Sequence, residues 1–283
     1  MKVTLAFLLC CLLALFQSPV WAEPPQASPA PVLGKQELSW LEDQDRFRIG
    51  LRSDQVPLVF DTGNGVLAGT YIDYLARLSE KLGVTMEPIV LEKGRDTGPM
   101  QSELATDAVL TTRMPGMPVV PGKRFTDPLM SLTYGVFVSA GNAAIRTLAD
   151  LEGSRIAVIA GDPNQYPMLD PIEEFTPVPV SNVSEAVGQI LSGQADAFLA
   201  PVPVVSDYLQ SAMVNGIGLS VLLDSSPVDV VLRVDTDRDR LYQVLNKAIA
   251  AISHNEHRTI RQSWLQADQP AMERSGLELS GSD

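Results

Sequence analysis

The sequence predicts an α/β protein built as two similar blocks of strands and helices joined by two long strands. Three observations point there. From Phe47 onward, short apolar runs alternate with amphipathic stretches at helical spacing, the β-α-β pattern of a parallel sheet with right-handed crossovers. Two segments, Thr106-Asp-Ala-Val-Leu110 and Ala195-Asp-Ala-Phe-Leu199, each put Asp-Ala before a buried strand and follow it with Thr- or Pro-rich chain. They read as two similar lobes, not a tandem repeat. Two apolar runs, Leu129–Val138 and Val228–Val234, are placed to lead out of the first block and back into it. Each block is expected to hold its own sheet.

The 283 residues suffice for one large or two small domains. Met1-Lys2, the apolar run from Val3 to Phe16 and Val20-Trp21-Ala22 have the layout of a secretory signal peptide. Residues 1–22 are therefore expected to be removed, giving a periplasmic product with no membrane span. Both cysteines, Cys10 and Cys11, lie in that leader, so the mature chain has no disulfide and no thiolate metal site. The formal charge is −13, and loss of Lys2 makes it −14. An acidic chain without a basic patch argues against nucleic acid and anionic membranes as partners.

Residues 23–35 are Pro/Ala-rich and read as a stiff spacer. A helical turn over Gln36–Asp43 precedes a strand at Phe47–Leu51. Asp61-Thr-Gly-Asn-Gly65 carries the Asn-Gly hairpin signal between Val56–Phe60 and Val66-Leu67. Tyr71–Leu82 places Ile72, Leu75, Leu78 and Leu82 on one helical face, and Gly83 caps it. Strands follow at Val84–Leu91 and Ala108–Leu110. In the second block the strands are Ser154–Ala160, Val178–Val180 and Ala197–Leu199, with helices over Gln165–Leu169 and Val183–Leu191. Helices over Leu241–Ile252 and Thr259–Leu265 close the fold, and residues 267–283 form a polar tail.

In open α/β sheets, ligands sit beyond the carboxyl ends of the strands. Thr111, Thr112 and Arg113 stand there after the Ala108–Leu110 strand, offering two hydroxyls and a guanidinium. Gly161-Asp162-Pro163-Asn164 opens a helix, with Asp162 as its cap and Pro163 at its first position. That helix N-terminus could serve an anion, unless the Asp162 carboxylate already takes its amides. His254-Asn-Glu-His257 offers too few ligands for a metal site, and no metal or cofactor is expected. Neither a Gly-x-Ser-x-Gly elbow nor a His-Glu-x-x-His motif occurs.

Taken in order, several pieces resemble the periplasmic solute-binding proteins of the amino-acid-binding type (type II, Venus flytrap). They are Phe47-Arg-Ile-Gly-Leu with Pro57 downstream, Gly65-x-x-x-Gly69-x-x-x-Asp73, Thr106-Asp-Ala-Val, Phe125-Thr-Asp-Pro, Leu151-Glu-Gly-Ser-Arg-Ile-Ala-Val, Gly193-Gln-Ala-Asp-Ala and Leu241–Trp264. The entry Glu37-Leu-Ser-Trp-Leu looks like the flytrap modules of unorthodox sensor kinases and of membrane-bound lytic transglycosylases. The resemblance implies a two-lobed fold with two crossing hinge strands. Lobe 1 would be residues 36–137 plus 228–266, and lobe 2 residues 138–227.

Carried over by position, Thr111 and Thr112 match the family's carboxylate-binding hydroxyls. The family's clamp arginine falls on Val119, with Arg113 nearby as a substitute. Arg52 and Gln55, beside Asp54, occupy the first-strand loop where the family places an acid and an aromatic. Pro201 stands at the second-lobe acid. An α-amino acid needs both charges paired when buried, so these departures point to an anionic ligand without an ammonium. The Thr111 and Thr112 hydroxyls and the amides near Asp162 and Asn164 would complete the coordination of its oxygens.

The resemblance thus implies a monomeric, non-enzymatic binding protein serving transport through an inner-membrane permease or signalling through a sensor receptor. An accessory protein with a degenerate cleft is the alternative. A cyclohexadienyl-dehydratase-like enzyme is a third class, disfavoured by the missing clamp arginine, and a lytic transglycosylase is not expected because no catalytic domain follows Trp264. Mass spectrometry of the protein extracted from periplasm is expected to find Glu23 at its N-terminus; Met1 retained in a membrane fraction would overturn the leader.

Overall fold

The computed structural model describes residues 30–91, 105–162 and 164–265, apart from the side chains of residues 224–226. The proposed leader, most of the spacer, Pro163 and the polar tail lie outside the described residues.

The first block begins with helix α1 (Lys35–Glu42), held to the body through Glu37 and Trp40. The Glu37 carboxylate accepts the Gly34 amide at 2.7 Å and the Lys247 ammonium at 2.7 Å, while Trp40 stacks on Phe47 at 5.6 Å. Strand β1 (Arg46–Leu51) pairs in parallel with β5 (Thr85–Val90) and β6 (Ala108–Arg113). Between β1 and β5 come the small antiparallel sheet of β2 (Asp54–Gln55), β3 (Val59–Asp61) and β4 (Leu67–Ala68) and helix α2 (Thr70–Leu82). The Asn-Gly turn forms as expected, with Asp61 Oδ1 accepting the amides of Gly63 and Gly65. Helix α2 buries Tyr71, Tyr74, Leu75, Leu78 and Leu82 and ends on left-handed Gly83.

The repeated Asp-Ala signal has a structural cause. Asp107 Oδ2 accepts the Arg48 amide at 2.7 Å, and the Asp107 amide donates back to Arg48 O at 2.8 Å. Asp196 does the same to Arg155, at 2.8 Å in each direction. Each carboxylate also meets an arginine, Arg238 for Asp107 and Arg155 for Asp196. In both blocks an aspartate thus pins the start of one strand to its parallel neighbour, at Arg48 within β1 and at Arg155, the first residue of β9.

The second block contains β9 (Arg155–Ile159), α3 (Gln165–Leu169), β10 (Thr176–Val180), α4 (Val183–Leu191), β11 (Ala197–Pro201) and α5 (Val202–Ser211). Helix α5 is absent from the sequence reading, which took Pro201-Val-Pro203 for a loop. Pro203 falls in the first helical turn, where its missing N–H breaks no bond. The short strand β7 (Lys123–Phe125) was likewise unread.

The long strands β8 (Met130–Ser139) and β12 (Ile217–Asp235) lie in the middle. The path runs β10-β9-β11-β8-β12-β6-β1-β5, with β7 also on β12. This corrects the expectation of two separate sheets. A parallel trio flanks each side of the antiparallel β8–β12 pair, so hydrogen bonding is continuous from edge to edge. The β8–β12 register nonetheless breaks between Leu223 and Val228. Strand β12 also begins 11 residues before the expected Val228, and β6 runs on through Arg113 because β12 supplies its partners.

Helices α6 (Asp239–Ala250) and α7 (His254–Trp264) close the first block. Helix α7 starts at a Ser253–Glu256 capping box, five residues before the expected Thr259. It docks on α2 through Trp264 Nε1 to Asp73 at 2.7 Å, Tyr74 to His257 at 2.8 Å and a buried Lys81–Glu256 pair.

Gly69 precedes α2 at φ 119, and a Cβ there would meet Leu58 O at 2.6 Å and Pro57 O at 2.7 Å. Gly69→Ala is therefore expected to destabilise the protein by at least ~1 kcal/mol, read by urea denaturation; an unchanged midpoint would show that the Pro57-Leu58 turn yields freely.

Candidate functional site

A cavity of about 170 Å³ opens where the ends of β1, β6 and β9 approach one another, lined by Arg52, Gln55, Tyr71, Leu110, Thr111, Thr112, Tyr134, Gly161 and Asp162. These are the carboxyl ends of parallel strands from both blocks, the place α/β sheets offer a ligand. From the first block, β1 delivers Arg52, β2 Gln55, the first turn of α2 Tyr71 and the end of β6 the two threonines. Tyr134 comes from β8, and Gly161 and Asp162 from the turn after β9.

Two contacts bind the walls together. Arg52 Nη1 donates to Gly161 O at 3.2 Å. Asn164 Nδ2 donates to Thr112 Oγ1 at 2.7 Å and to Tyr134 Oη at 3.3 Å. Asn164 is fully buried. Gln165 fixes the turn from behind, accepting the Ile159 amide at 2.7 Å and donating to Leu199 O at 2.5 Å.

Asp162 faces this network. Its Oδ1 accepts the Asn164 amide at 2.8 Å, and its Oδ2 accepts a long 3.5 Å bond from Tyr134 Oη. Burial raises its pKa above the ordinary carboxylate value; its hydrogen bonds from Asn164 and Gln165 and the Arg52 charge offset part of that rise. Tyr71 and Tyr134 are raised too, by burial first and then by the Asp162 charge. The Tyr71 hydroxyl is buried and has no hydrogen-bond partner among the described residues, and the same holds for Arg52 Nε.

Of the residues singled out from sequence, Arg52, Gln55, Thr111, Thr112 and Asp162 line the cavity, and Asn164 holds two of its walls. Asp54 stands behind Arg52, pairing with its Nη2 at 3.4 Å, so Arg52 faces the cavity while held by an acid outside the lining. Arg113 is a correction. It donates to Met117 O at 3.0 Å and lies over the Phe125 ring at 4.8 Å, outside the cavity lining, because Met114–Met117 turns the chain back over it. The helix N-terminus is a second correction: α3 has five residues, its cap is Asn164, and Asp162 takes the Asn164 amide that an anion would need. Tyr71 and Tyr134 were missed. The signal was present, since a tyrosine in an apolar strand or helix face must find a partner for its hydroxyl when buried.

His254 and His257 fall in the first turn of α7. His257 is committed to Tyr74, and burial lowers its pKa. Among the described residues no cluster of three or more potential metal ligands occurs, and no helix is long and apolar enough to cross a membrane.

No protein-family model matches the chain. In sequence it is similar to Sensor protein EvgS of Escherichia coli, 21% identical over 252 residues covering 88% of this chain and 21% of that protein. The chain thus spans about a fifth of that relative's length. Its structure is similar to the Bordetella pertussis BvgS periplasmic VFT2 domain, with a TM-score of 0.68, 19% identity and coverage of 83% of this chain and 99% of that one. It is also similar to an ancestral arginine-binding protein bound to arginine, with a TM-score of 0.63, 22% identity and coverage of 78% and 98%. The chain has the two-lobed Venus flytrap fold that its motifs resemble.

A carboxylate whose folded pKa is raised favours the folded state at low pH and loses that contribution as pH rises through the raised value. Asp162→Asn keeps an acceptor for the Asn164 amide and removes the charge. Its melting temperature is expected to exceed that of wild type at neutral pH, with the gap closing as pH falls toward 4. A variant less stable than wild type at pH 7 would mean that the ionised carboxylate is a net support.

Proposed function

We propose that this chain is a periplasmic ligand-capturing module, not a catalyst, that closes two lobes on a small molecule held in the Arg52–Thr112–Asp162 cavity, for signalling or transport. The observation that carries this reading is the origin of the lining: Arg52, Thr111 and Thr112 come from one block, and Gly161 and Asp162 from the other. A ligand touching both stabilises the closed arrangement by its differential affinity for it. We divide the lobes at residues 36–137 plus 228–266 and 138–227, with the β8–β12 register break as the hinge. Signalling is supported by the likeness to a sensor protein, and capture of a small solute by the likeness to an arginine-binding protein. The partner would then be a sensor receptor or an inner-membrane permease. The cavity lies below the ~300–1,000 Å³ of drug-sized sites, which favours a small ligand. An anionic one has Arg52 and the two threonine hydroxyls in its favour and Asp162 against it.

One observation favours the second reading, an accessory protein with a retired cleft. The Arg52–Gly161 and Asn164–Thr112 bonds already join the walls through the protein's own groups.

Small-angle scattering and thermal shift on the exported protein, with pooled amino acids, amines and organic acids, separate the two. Capture is expected to give a saturable rise in melting temperature with a smaller radius of gyration. Thr112→Ala, which removes a lining hydroxyl and the Asn164 bond, would then weaken binding. If no pool changes either quantity and Arg52→Ala alone enlarges the radius, the cleft is self-closed.

A further inference from the structure

We propose that the cavity selects a small organic monocation, one ammonium or amidinium with a neutral acceptor oxygen, and that Asp162 is its anchor. This rests on the reading of the cavity as a ligand site, and it reverses the sign of the ligand expected from sequence.

The first argument is a census of charge. Among the nine lining residues the charged ones are Arg52 and Asp162. Arg113, the second cation on which an anionic ligand depended, is turned to Met117 and Phe125. Arg52 is already paired with Asp54. Asp162, by contrast, is in no ion pair among the described residues. A monocation beside it supplies the missing counter-charge, whereas an anion would sit against an unpaired carboxylate, in partly desolvated surroundings where unbalanced charge is disfavoured.

Unused hydrogen-bonding capacity is the second. Asp162 Oδ2 has only the 3.5 Å bond from Tyr134 Oη, so it can accept a strong charge-assisted bond. The Asn164 amide nitrogen faces Asp162 Oδ1 at 3.4 Å, which fixes that amide's orientation, because a carboxylate only accepts. On the donor side, Tyr71 is 3% exposed, lines the cavity and has no partner for its hydroxyl. A buried hydroxyl left unpaired is costly, and a neutral carbonyl or hydroxyl oxygen on the ligand would accept from it. An ammonium at Asp162 and an oxygen at Tyr71 together define the ligand class.

Size is the third argument. About 170 Å³ holds a compact amine and no long side chain.

The groups facing Asp162 are Arg52, Tyr71 and Tyr134. Both tyrosines stay neutral, since burial raises them, so Asp162 is the group that titrates on acidification. Cation binding should then weaken as pH falls and Asp162 takes up a proton.

Series matched in skeleton and differing in charge provide the test: glycinamide, glycine and glycolate, then alaninamide, alanine and lactate, titrated into the exported full chain by calorimetry with scattering in parallel. The amides are expected to bind at least tenfold tighter than the amino acids, and the hydroxy acids weakest. Asp162→Asn should remove the preference for the amide, and in wild type the preference should shrink as the pH falls below neutral. Tighter binding of an amino acid or a hydroxy acid, with the radius still contracting, would overturn the cation while leaving ligand capture standing. An unchanged preference in Asp162→Asn would overturn Asp162 as the anchor. If no member of either series binds or contracts the protein, and the pooled metabolites also fail, the ligand-capture reading falls and the inference with it.

Discussion

The antiparallel pairing of β8 with β12 is the interaction on which the rest of the structure depends. These strands lie between the two parallel trios and carry hydrogen bonds to both, β11 on one side and β6 on the other. They also hold the core: Leu132, Val136, Val228, Val230 and Leu232 are nearly or fully buried in one apolar cluster. Such a pair cannot slide, because a shift of one residue would turn its buried face to solvent. Its register does shift twice, between Leu219 and Val221 and again between Leu223 and Val228, and a broken ladder is where a sheet bends with least loss.

That central pair also creates the site. It sets the carboxyl ends of β1 and β6 opposite that of β9, and Tyr134 reaches into the gap from β8 itself. The gap is small enough for side chains to span, as Arg52 does to Gly161 and Asn164 to Thr112. The cleft is therefore polar and largely self-satisfied. Among the described residues it leaves open Asp162 Oδ2, Asn164 Oδ1, the Tyr71 hydroxyl and Arg52 Nε. These residual valences, more than the overall acidity of the chain, govern which ligand chemistry the cavity can accept.

Much of the fold was legible in sequence because it depends on local chemistry. The 3.6-residue spacing of α2 and its Gly83 stop appear where expected, as does the Asn-Gly turn with its aspartate cap. The Asp-Ala signature marked two equivalent positions, since each aspartate needs only one amide of its neighbour strand and an arginine. The misses share a different cause. Helix α5 was hidden because prolines read as loop unless their place in a first turn is known. The Ser253–Glu256 capping box would have started α7 correctly, but was not used.

For the site, sequence determined which residues reach strand ends: Arg52, Gln55, Thr111, Thr112 and Asp162 follow from where β1, β6 and β9 stop. It could not determine direction. Whether Arg113 faces the cavity or the Met117 carbonyl depends on how the chain folds back after β6. Whether Asp162 serves a helix or a ligand depends on α3 being a single short turn behind it. The sign of the cavity follows from those two orientations. The sequence by itself determined most of the elements, the flytrap order and the stock of polar groups, because these follow from spacing and residue type. Only the tertiary structure decided which groups share the cavity and which remain unpaired, because that depends on contacts between blocks more than fifty residues apart, as between Thr112 and Asn164.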